Sequence, residues 1–310
     1  IIPYTDRLDY LAGMNNNLAY VLAVEKLIDV KIPLRAQLLR MICAELMRIA
    51  SHLFGVGIYI MDLGAVTGVF YSVQQREYIL DALAELSGGR MTFNYMRIGG
   101  VAADANEAFY PAVEKFIANF APFLKEYHKL IDKNEIFLAR TKDIGIISPE
   151  MAKNYGLTGP NLRASGVNYD IRKIAPYCLY DEIPFNVPLG EKGDCFDRYM
   201  VRVLEMEESY KIVQILLKML KETPPGEIMA KVPKILKPAA GEIYYQTENP
   251  KGAMGCHIVS DGGTTPYRLH FRRPSFMNVA ILDQLFIGYK MADLVAIVAS
   301  LDFVLGEVDA

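Results

Sequence analysis

The chain has 310 residues, of which 52% are hydrophobic and 22% are charged, and its formal net charge is −3. This composition allows a large buried core, and the lack of a basic tract interleaved with aromatic residues argues against nucleic-acid binding. The four cysteines include no CxxC pair, so we expect reduced, buried thiols rather than disulfides or a zinc or iron–sulfur site built from this chain.

Most of the chain is predicted to be helical. Residues 5–30 carry apolar side chains at three- and four-residue spacing, with Thr5 or Asp6 as the N-cap of a first helix. A second helix is predicted to begin at Pro33, a residue suited to the first helical turn, and to run to about Gly64.

The next three helices are predicted from the same periodicity and from their end signals. Thr67 is expected to cap a third helix that ends at Gly88, and residues 106–133 form a fourth. A further helix is expected to start near Asp194 and to stop before the Pro-Pro-Gly breaker that begins at Pro224.

The C-terminal part of the sequence changes character. Residues 223–240 are interpreted as a connector, and residues 241–276 predict two or three antiparallel strands with the DGG segment as a hairpin signal. Two more helices are predicted near 275–286 and 291–301. We therefore expect one mainly α domain over residues 1–310, with a helical core and a small antiparallel β-sheet near the C-terminus.

The apolar run LFGVGIYIMDLGAVTGVF, residues 53–70, contains one charged residue, Asp62. A membrane span would place this carboxylate near mid-bilayer at a cost of about 2.5 kcal/mol, so we predict a core helix instead. An ionised carboxylate without a partner is costly to bury. Asp62 is therefore interpreted either as a structural residue at the C-terminal end of a helix or as part of a site.

A second group of ionisable residues lies earlier on the same predicted helix. Glu45, Arg48 and His52 share one helix face that leads toward Asp62, and we interpret them as a buried or half-buried ion-pair network that orients helices. His128, in the sequence KEYHKL, is expected to be solvated. The sequence contains no GxGxxG loop, HExxH pair or Gly-x-Ser-x-Gly elbow, so nucleotide binding, a histidine metal site and nucleophilic hydrolysis have no support.

Nine sequence segments, in order along the chain, resemble the family of the D subunit (49-kDa subunit) of respiratory complex I. They include DRLDYL, MDLGAVT, NYMRIGGV, LRASGVNYDIRK and SLDFVLGEVD. The resemblance implies a fold like that of nickel–iron hydrogenase large subunits, with Val304 and Glu307 in the places of metal-binding cysteines. Because the chain lacks CxxC pairs, a nickel–iron centre is excluded.

The resemblance also implies a quinone site. Tyr10 would donate a hydrogen bond to one quinone carbonyl, Asp62 would orient a histidine that donates to the other, and Val304 would line the cavity. Tyr10 and Asp62 are thus the predicted catalytic residues, and Tyr10 and Val304 the predicted quinone-binding residues. The family's histidine lies on an N-terminal hairpin with an HRG motif that is absent from this sequence. The first residues, IIPYTDRLDY, have no initiator Met and no basic n-region, so we expect the chain to be the interior of a longer protein.

The implied function is that of one subunit of the proton-pumping NADH:quinone oxidoreductase. Quinone would be the substrate, this chain would bind no metal or flavin, and NAD and the iron–sulfur clusters would belong to partner subunits. The expected partners are the B and C subunits and the H subunit of the membrane arm, in a peripheral arm at the cytoplasmic face of the inner (plasma) membrane.

Three alternatives remain open at this stage. The chain is also compatible with the equivalent subunit of an F420-type dehydrogenase, with a membrane-bound hydrogenase-like complex, and with a non-catalytic scaffold. We expect the isolated fragment to be inactive.

Overall fold

Helices account for most of the regular structure of the computed structural model, which describes residues 1–310. The helices are α1 (Ile2–Thr5), α2 (Gly13–Leu27), α3 (Leu34–Asp62), α4 (Val66–Ser87), α5 (Phe109–Ile131), α6 (Glu135–Thr141), α7 (Pro149–Asn154), α8 (Gly159–Ala164), α9 (Ile171–Ile174), α10 (Cys195–Glu222), α11 (Pro274–Ala280), α12 (Leu282–Leu285), α13 (Asp293–Ser300) and α14 (Leu305–Asp309). The strands are β1 (Met96–Arg97), β2 (Gly100–Val101), β3 (Gly241–Asn249), β4 (Gly252–Ser260) and β5 (Arg268–Arg272). The predicted mainly α fold is confirmed.

The predicted small sheet near the C-terminus is also present. Strands β3, β4 and β5 form an antiparallel sheet in that order, and Tyr245 of β3 lies opposite Cys256 of β4. The tight hairpin lies at residues 250–251, between β3 and β4, whereas the DGG segment opens the longer connection 261–267 between β4 and β5. A second, two-stranded sheet of β1 and β2 was not predicted.

Helix α3 runs through the centre of the protein and packs against α4 and α10. Its length and apolar composition would suffice to cross a membrane, but 83% of its most apolar 18-residue window is buried inside the protein. Its buried apolar side chains belong to one contiguous cluster of 69 buried core residues. This burial agrees with the predicted core helix, which begins and ends close to the predicted positions.

Several predicted helix ends are confirmed. Helix α4 ends at Gly88, whose φ of 70° lies in the left-handed region that favours glycine. Helix α10 is capped by Asp194, whose side chain accepts a hydrogen bond from the Asp197 backbone N–H. The proposed cap at Thr67 is wrong, because α4 already begins at Val66.

The predicted start of the first helix is wrong as well. Helix α2 begins at Gly13, because both acids of the preceding segment bind other groups. The Asp6 Oδ2 accepts a hydrogen bond of 3.0 Å from the Asn94 backbone N–H, and the Asp9 Oδ1 accepts one of 3.1 Å from the Leu11 N–H. Residues 6–12 therefore form turns, and this path leaves Tyr10 38% exposed.

His128 connects α5 to α10 and is half-buried, although the sequence predicts a solvated residue. Its Nδ1 lies 2.7 Å from Asp132 on α5, and its Nε2 lies 2.8 Å from Glu207 on α10. Burial lowers the pKa of His128, but the two carboxylates outweigh this effect and raise the pKa above its ordinary value. The charged imidazole donates to both acids, whereas the neutral ring can donate to only one of them.

We expect His128 to stabilise the protein in a pH-dependent way. Because its folded-state pKa is raised, its contribution is complete below the unfolded histidine pKa of about 6.5 and is lost as the pH rises through the folded-state value. H128Q should lower the free energy of unfolding by about 0.5–1 kcal/mol at acidic pH, a figure reduced for solvent screening, and by less at alkaline pH. Urea titrations at both pH values measure this difference.

The control for this experiment is H257Q, which removes a histidine that pairs only with the exposed Glu242. Its effect should be small at both pH values. An equal loss of stability in H128Q at acidic and alkaline pH would contradict the bridging role.

Candidate functional site

A cavity of about 570 Å³ lies between the C-terminal half of α3 and helix α13. This volume is within the range of small-molecule sites. The cavity is mainly apolar, and its polar groups are two phenols and two carboxylates. It is lined by Tyr10, Leu11, Phe54, Gly55, Ile58, Tyr59, Asp62, Leu294, Val295, Val298, Ala299, Asp302, Phe303 and Val304. Such a site suits an apolar ligand that carries a few polar atoms.

The structure brings the three sequence-predicted site residues to this one cavity. Tyr10 comes from the turn before α2, Asp62 is the last residue of α3, and Val304 is the residue before α14. Asp62 is exposed and Val304 is buried. Neither the Tyr10 hydroxyl nor the Asp62 carboxylate makes a hydrogen bond within the chain, so both are free to bind a ligand or a partner.

The exposure of Asp62 answers the question that its apolar neighbours raise. The acid is not buried without a partner, because α3 ends there and the side chain reaches solvent at the cavity. Asp62 forms no ion pair with the charged residues earlier on α3.

Sequence reasoning missed a second carboxylate of the cavity, Asp302. Its side chain is 9% exposed, its Oδ2 lies 3.5 Å from Arg202 Nε, and its φ of 51° is in the left-handed region. Helix α3 makes room for it with Gly55, where a Cβ would lie 2.5 Å from Asp302 Oδ1. The available signal was an acid within the apolar sequence SLDFVLG, the same signal that singled out Asp62.

The predicted ion-pair network on α3 is confirmed and is fully buried. Glu45 lies 3.4 Å from Arg48 and 3.2 Å from Arg172, and it accepts further hydrogen bonds from Tyr180 and Ser209. Burial raises the pKa of Glu45, but the two guanidinium groups lower it below its ordinary value. Glu45 is therefore ionised and holds α3 against the segment around α9 and against α10.

The second half of this network joins α3, α8, α10 and β3. Arg163 binds Glu205 at 2.6 Å and Glu248 at 2.7 Å, and His52 Nε2 lies 3.0 Å from the other Glu205 oxygen. Burial opposes the ionisation of Glu205, yet Arg163 and His52 lower its pKa to about 2. Burial also lowers the pKa of His52, so we assign its neutral Nε2–H tautomer as the donor to Glu205.

The chain contains no group of three or more His, Cys, Asp or Glu side chains that could hold a metal ion. All four cysteines are free; Cys43, Cys195 and Cys256 are buried, and Cys178 is half-buried. The fold and the cavity thus define a mainly helical protein with an apolar site served by phenols and carboxylates.

Comparisons with known proteins place this chain in a family. The profile of the family described as "Respiratory-chain NADH dehydrogenase, 49 Kd subunit" matches residues 62–240 and 234–310. The chain is 53% identical over 310 residues to the D subunit of NADH-quinone oxidoreductase from Desulforamulus reducens, covering all of this chain and 84% of the relative. It is 50% identical over 308 residues to the same subunit from Clostridium beijerinckii, covering 99% of this chain and 82% of that protein.

The chain belongs to the 49-kDa subunit family of respiratory-chain NADH dehydrogenases. The resemblance stated from sequence segments is therefore confirmed. The curated relatives are subunits of an oxidoreductase complex, NADH-quinone oxidoreductase, and membership in such a complex implies other subunits as partners and an association with a membrane.

We expect removal of Glu205 to destabilise the protein strongly. E205A leaves Arg163 with one carboxylate fewer in a site without water access, so the free energy of unfolding should fall by about 3–5 kcal/mol. The control is E222A, which removes an exposed pair with Lys218 and should change stability by less than about 0.5 kcal/mol. Similar urea midpoints for the two variants would contradict the structural role of the network.

Proposed function

We propose that the cavity lined by Tyr10, Asp62 and Val304 is the site of quinone reduction in an NADH:quinone oxidoreductase. The observation that carries this proposal is the convergence of these three residues on one cavity in a member of the 49-kDa subunit family. The reaction adds two electrons and two protons to the quinone and yields the quinol. This chain contributes the binding cavity and hydrogen-bond donors, and the electrons come from an iron–sulfur cluster on a partner protein of the complex.

The chemistry of the cavity supports a quinone as its ligand. The apolar walls suit an aromatic ring and an isoprenoid tail, and the few polar groups suit two carbonyl oxygens. Negative charge develops on those oxygens during reduction, and a phenol O–H directed at them stabilises the charge. Tyr10 has this role in the proposal, since its hydroxyl is unpaired within the chain and its ring lines the cavity.

Asp62 acts through another residue in this proposal. Its carboxylate accepts a hydrogen bond from a histidine that donates to the second quinone carbonyl, which fixes the tautomer of that histidine and favours its protonated form. None of the four histidines of this chain lines the cavity, so the partner of Asp62 comes from outside this sequence. Val304 sets the shape of the inner wall.

We extend the proposal to the assembly. The B and C subunits and the H subunit of the membrane arm are the proposed neighbours, in a complex at the cytoplasmic face of the membrane that couples quinone reduction to proton translocation. Exposed apolar side chains, Phe70 at 69% and Met291 at 86%, support contact with such neighbours. One contiguous core supports the inference that residues 1–310 are a single domain, with the connector 223–240 inside it.

The first test replaces the phenol. In the assembled complex, Y10F should lower the quinone reductase kcat by about 100-fold, because it removes a donor to the developing oxyanion. The measurement is NADH-dependent reduction of decylubiquinone, with co-purification of the other subunits as the check on assembly.

The matched control is Y4F, a tyrosine that is 77% exposed and outside the cavity. It should leave turnover unchanged. Unchanged turnover in Y10F as well, with assembly intact, would favour the scaffold alternative over the quinone site.

The second test removes the charge of the acid at the end of α3. D62N keeps the size of the side chain but holds the histidine less firmly, so kcat should fall by about tenfold or more while the complex still assembles. Steady-state kinetics at several quinone concentrations separate kcat from KM. A change in KM alone would speak for a binding role of Asp62 and against its role through a histidine.

A further inference from the structure

A cluster of charged residues adjoins the cavity and has no role in the function proposed above. We call Asp9, Lys251, Asp302 and Glu307 the Lys251 cluster. Lys251 Nζ lies 3.0 Å from Asp9 Oδ2 and 3.1 Å from Ser51 Oγ, and the Lys251 side chain is completely buried. Asp302 is the member that also lines the cavity.

The cluster and the cavity share the same two chain segments. Asp9 precedes Tyr10, and Glu307 follows Val304 by three residues. The two segments are in contact, because a Cβ on Gly306 would lie 3.2 Å from the Tyr10 Cε1 atom. A change of charge in the cavity is therefore felt in the cluster at short range through a medium of low dielectric constant.

The charges of the cluster are unequal in number. Lys251 forms an ion pair with Asp9, and the carboxyl groups of Asp302 and Glu307 also act on its charge. Asp302 also lies 3.5 Å from Arg202. Arg272 on β5 also interacts electrostatically with Glu307, without an ion pair between them. With all three acids ionised, the cluster would hold excess negative charge, part of it on the buried Asp9 and Glu307, so one acid is favoured to carry a proton.

Glu307 is the acid that geometry selects. It is completely buried and forms no ion pair, its Oε2 accepts a hydrogen bond of 3.0 Å from the Ser275 N–H, and its Oε1 has no partner. Burial and the neighbouring Asp9 raise the pKa of Glu307 to about 7, against the opposing effects of Ser275 and Lys251. Near neutral pH, Glu307 therefore changes its protonation easily.

We propose that Glu307 is a charge-compensating residue that binds one proton from solvent when negative charge develops in the cavity. The step converts a carboxylate and a proton into a carboxylic acid and involves no electrons. Protonation removes one negative charge from behind Tyr10 and so lowers the electrostatic cost of an anion in front of it. The inference rests on the proposed function, since the anion is the quinone during its reduction.

The pH dependence of turnover tests this role in the assembled complex. Turnover of decylubiquinone should fall with a one-proton slope as the pH rises through the pKa of Glu307, because the ionised acid disfavours the anion. We call this fall in turnover the alkaline limb of the pH profile. Because the side chain introduced by E307Q is neutral at every pH, this variant should lack the limb and should turn over at alkaline pH as fast as it does at acidic pH. A purely structural role would lower the rate of E307Q at all pH values and leave the limb in place, which would overturn the proposal.

Two further variants move the limb in opposite directions. D9N removes a repelling carboxylate and should shift the limb to lower pH by about one unit, and K251M removes the attracting ammonium and should shift it to higher pH by a similar amount. E227Q, at an exposed glutamate of the connector, is the matched control and should leave the profile unchanged. Shifts in the same direction for D9N and K251M would also overturn the proposal.

Infrared difference spectroscopy separates this inference from the proposed function. In the complex without quinone, a pH-difference spectrum should contain the C=O stretch of a protonated carboxylic acid that titrates near neutral pH and is missing in E307Q. If this band is absent from the unmodified complex, the proton-binding role of Glu307 is wrong even where Y10F confirms the quinone site. If the band is present but Y10F has no effect on turnover, the proton site stands and the proposed quinone site fails.

Discussion

The bond between Arg163 and its two carboxylates is the interaction on which the arrangement of the helices depends. Glu205 of α10 and Glu248 of β3 bind the same guanidinium group, and His52 of α3 binds Glu205 in turn. Every member is buried, so the separation of any one element would leave an uncompensated charge in the interior. The main effect of the network is on specificity, because it determines which face of α3 packs against α10 and β3.

The cavity follows from this arrangement, because both of its walls are attached to α10. The α3 wall is fixed by the Glu45 and His52 contacts, and its last turns then extend beyond the network to Asp62. The α13 wall is fixed by Arg202, whose guanidinium donates to the Ser300 and Leu301 carbonyls, and by Arg198, which binds the Ser300 hydroxyl. Apolar side chains face each other across the remaining gap.

The sequence predicts what local patterns determine and misses what distant residues determine. The bounds of α3, the end of α4 and the cap of α10 depend on neighbours within a few residues, and they were predictable. The start of α2 was not, because the partner of Asp6 is Asn94, 88 positions away. Tyr10 required the family resemblance. Asp62 and Asp302 each carry a local signal, an acid within an apolar run, but the place of Asp302 in the cavity depends on its close approach to Gly55, which is distant in sequence.

Two departures from ordinary packing lie in the segment that ends the cavity wall after α13. The buried charges of the Arg163 network are paired, whereas Glu307 keeps an unpartnered oxygen and Asp302 adopts a left-handed backbone conformation. Tyr10 and Asp62 point to the same place with no partner in the chain. The unpartnered Glu307 oxygen and the backbone conformation of Asp302 cost free energy in the isolated fold, and such costs persist where surrounding structure enforces them for a function. Their shared location is therefore an argument for the site that is independent of the family resemblance.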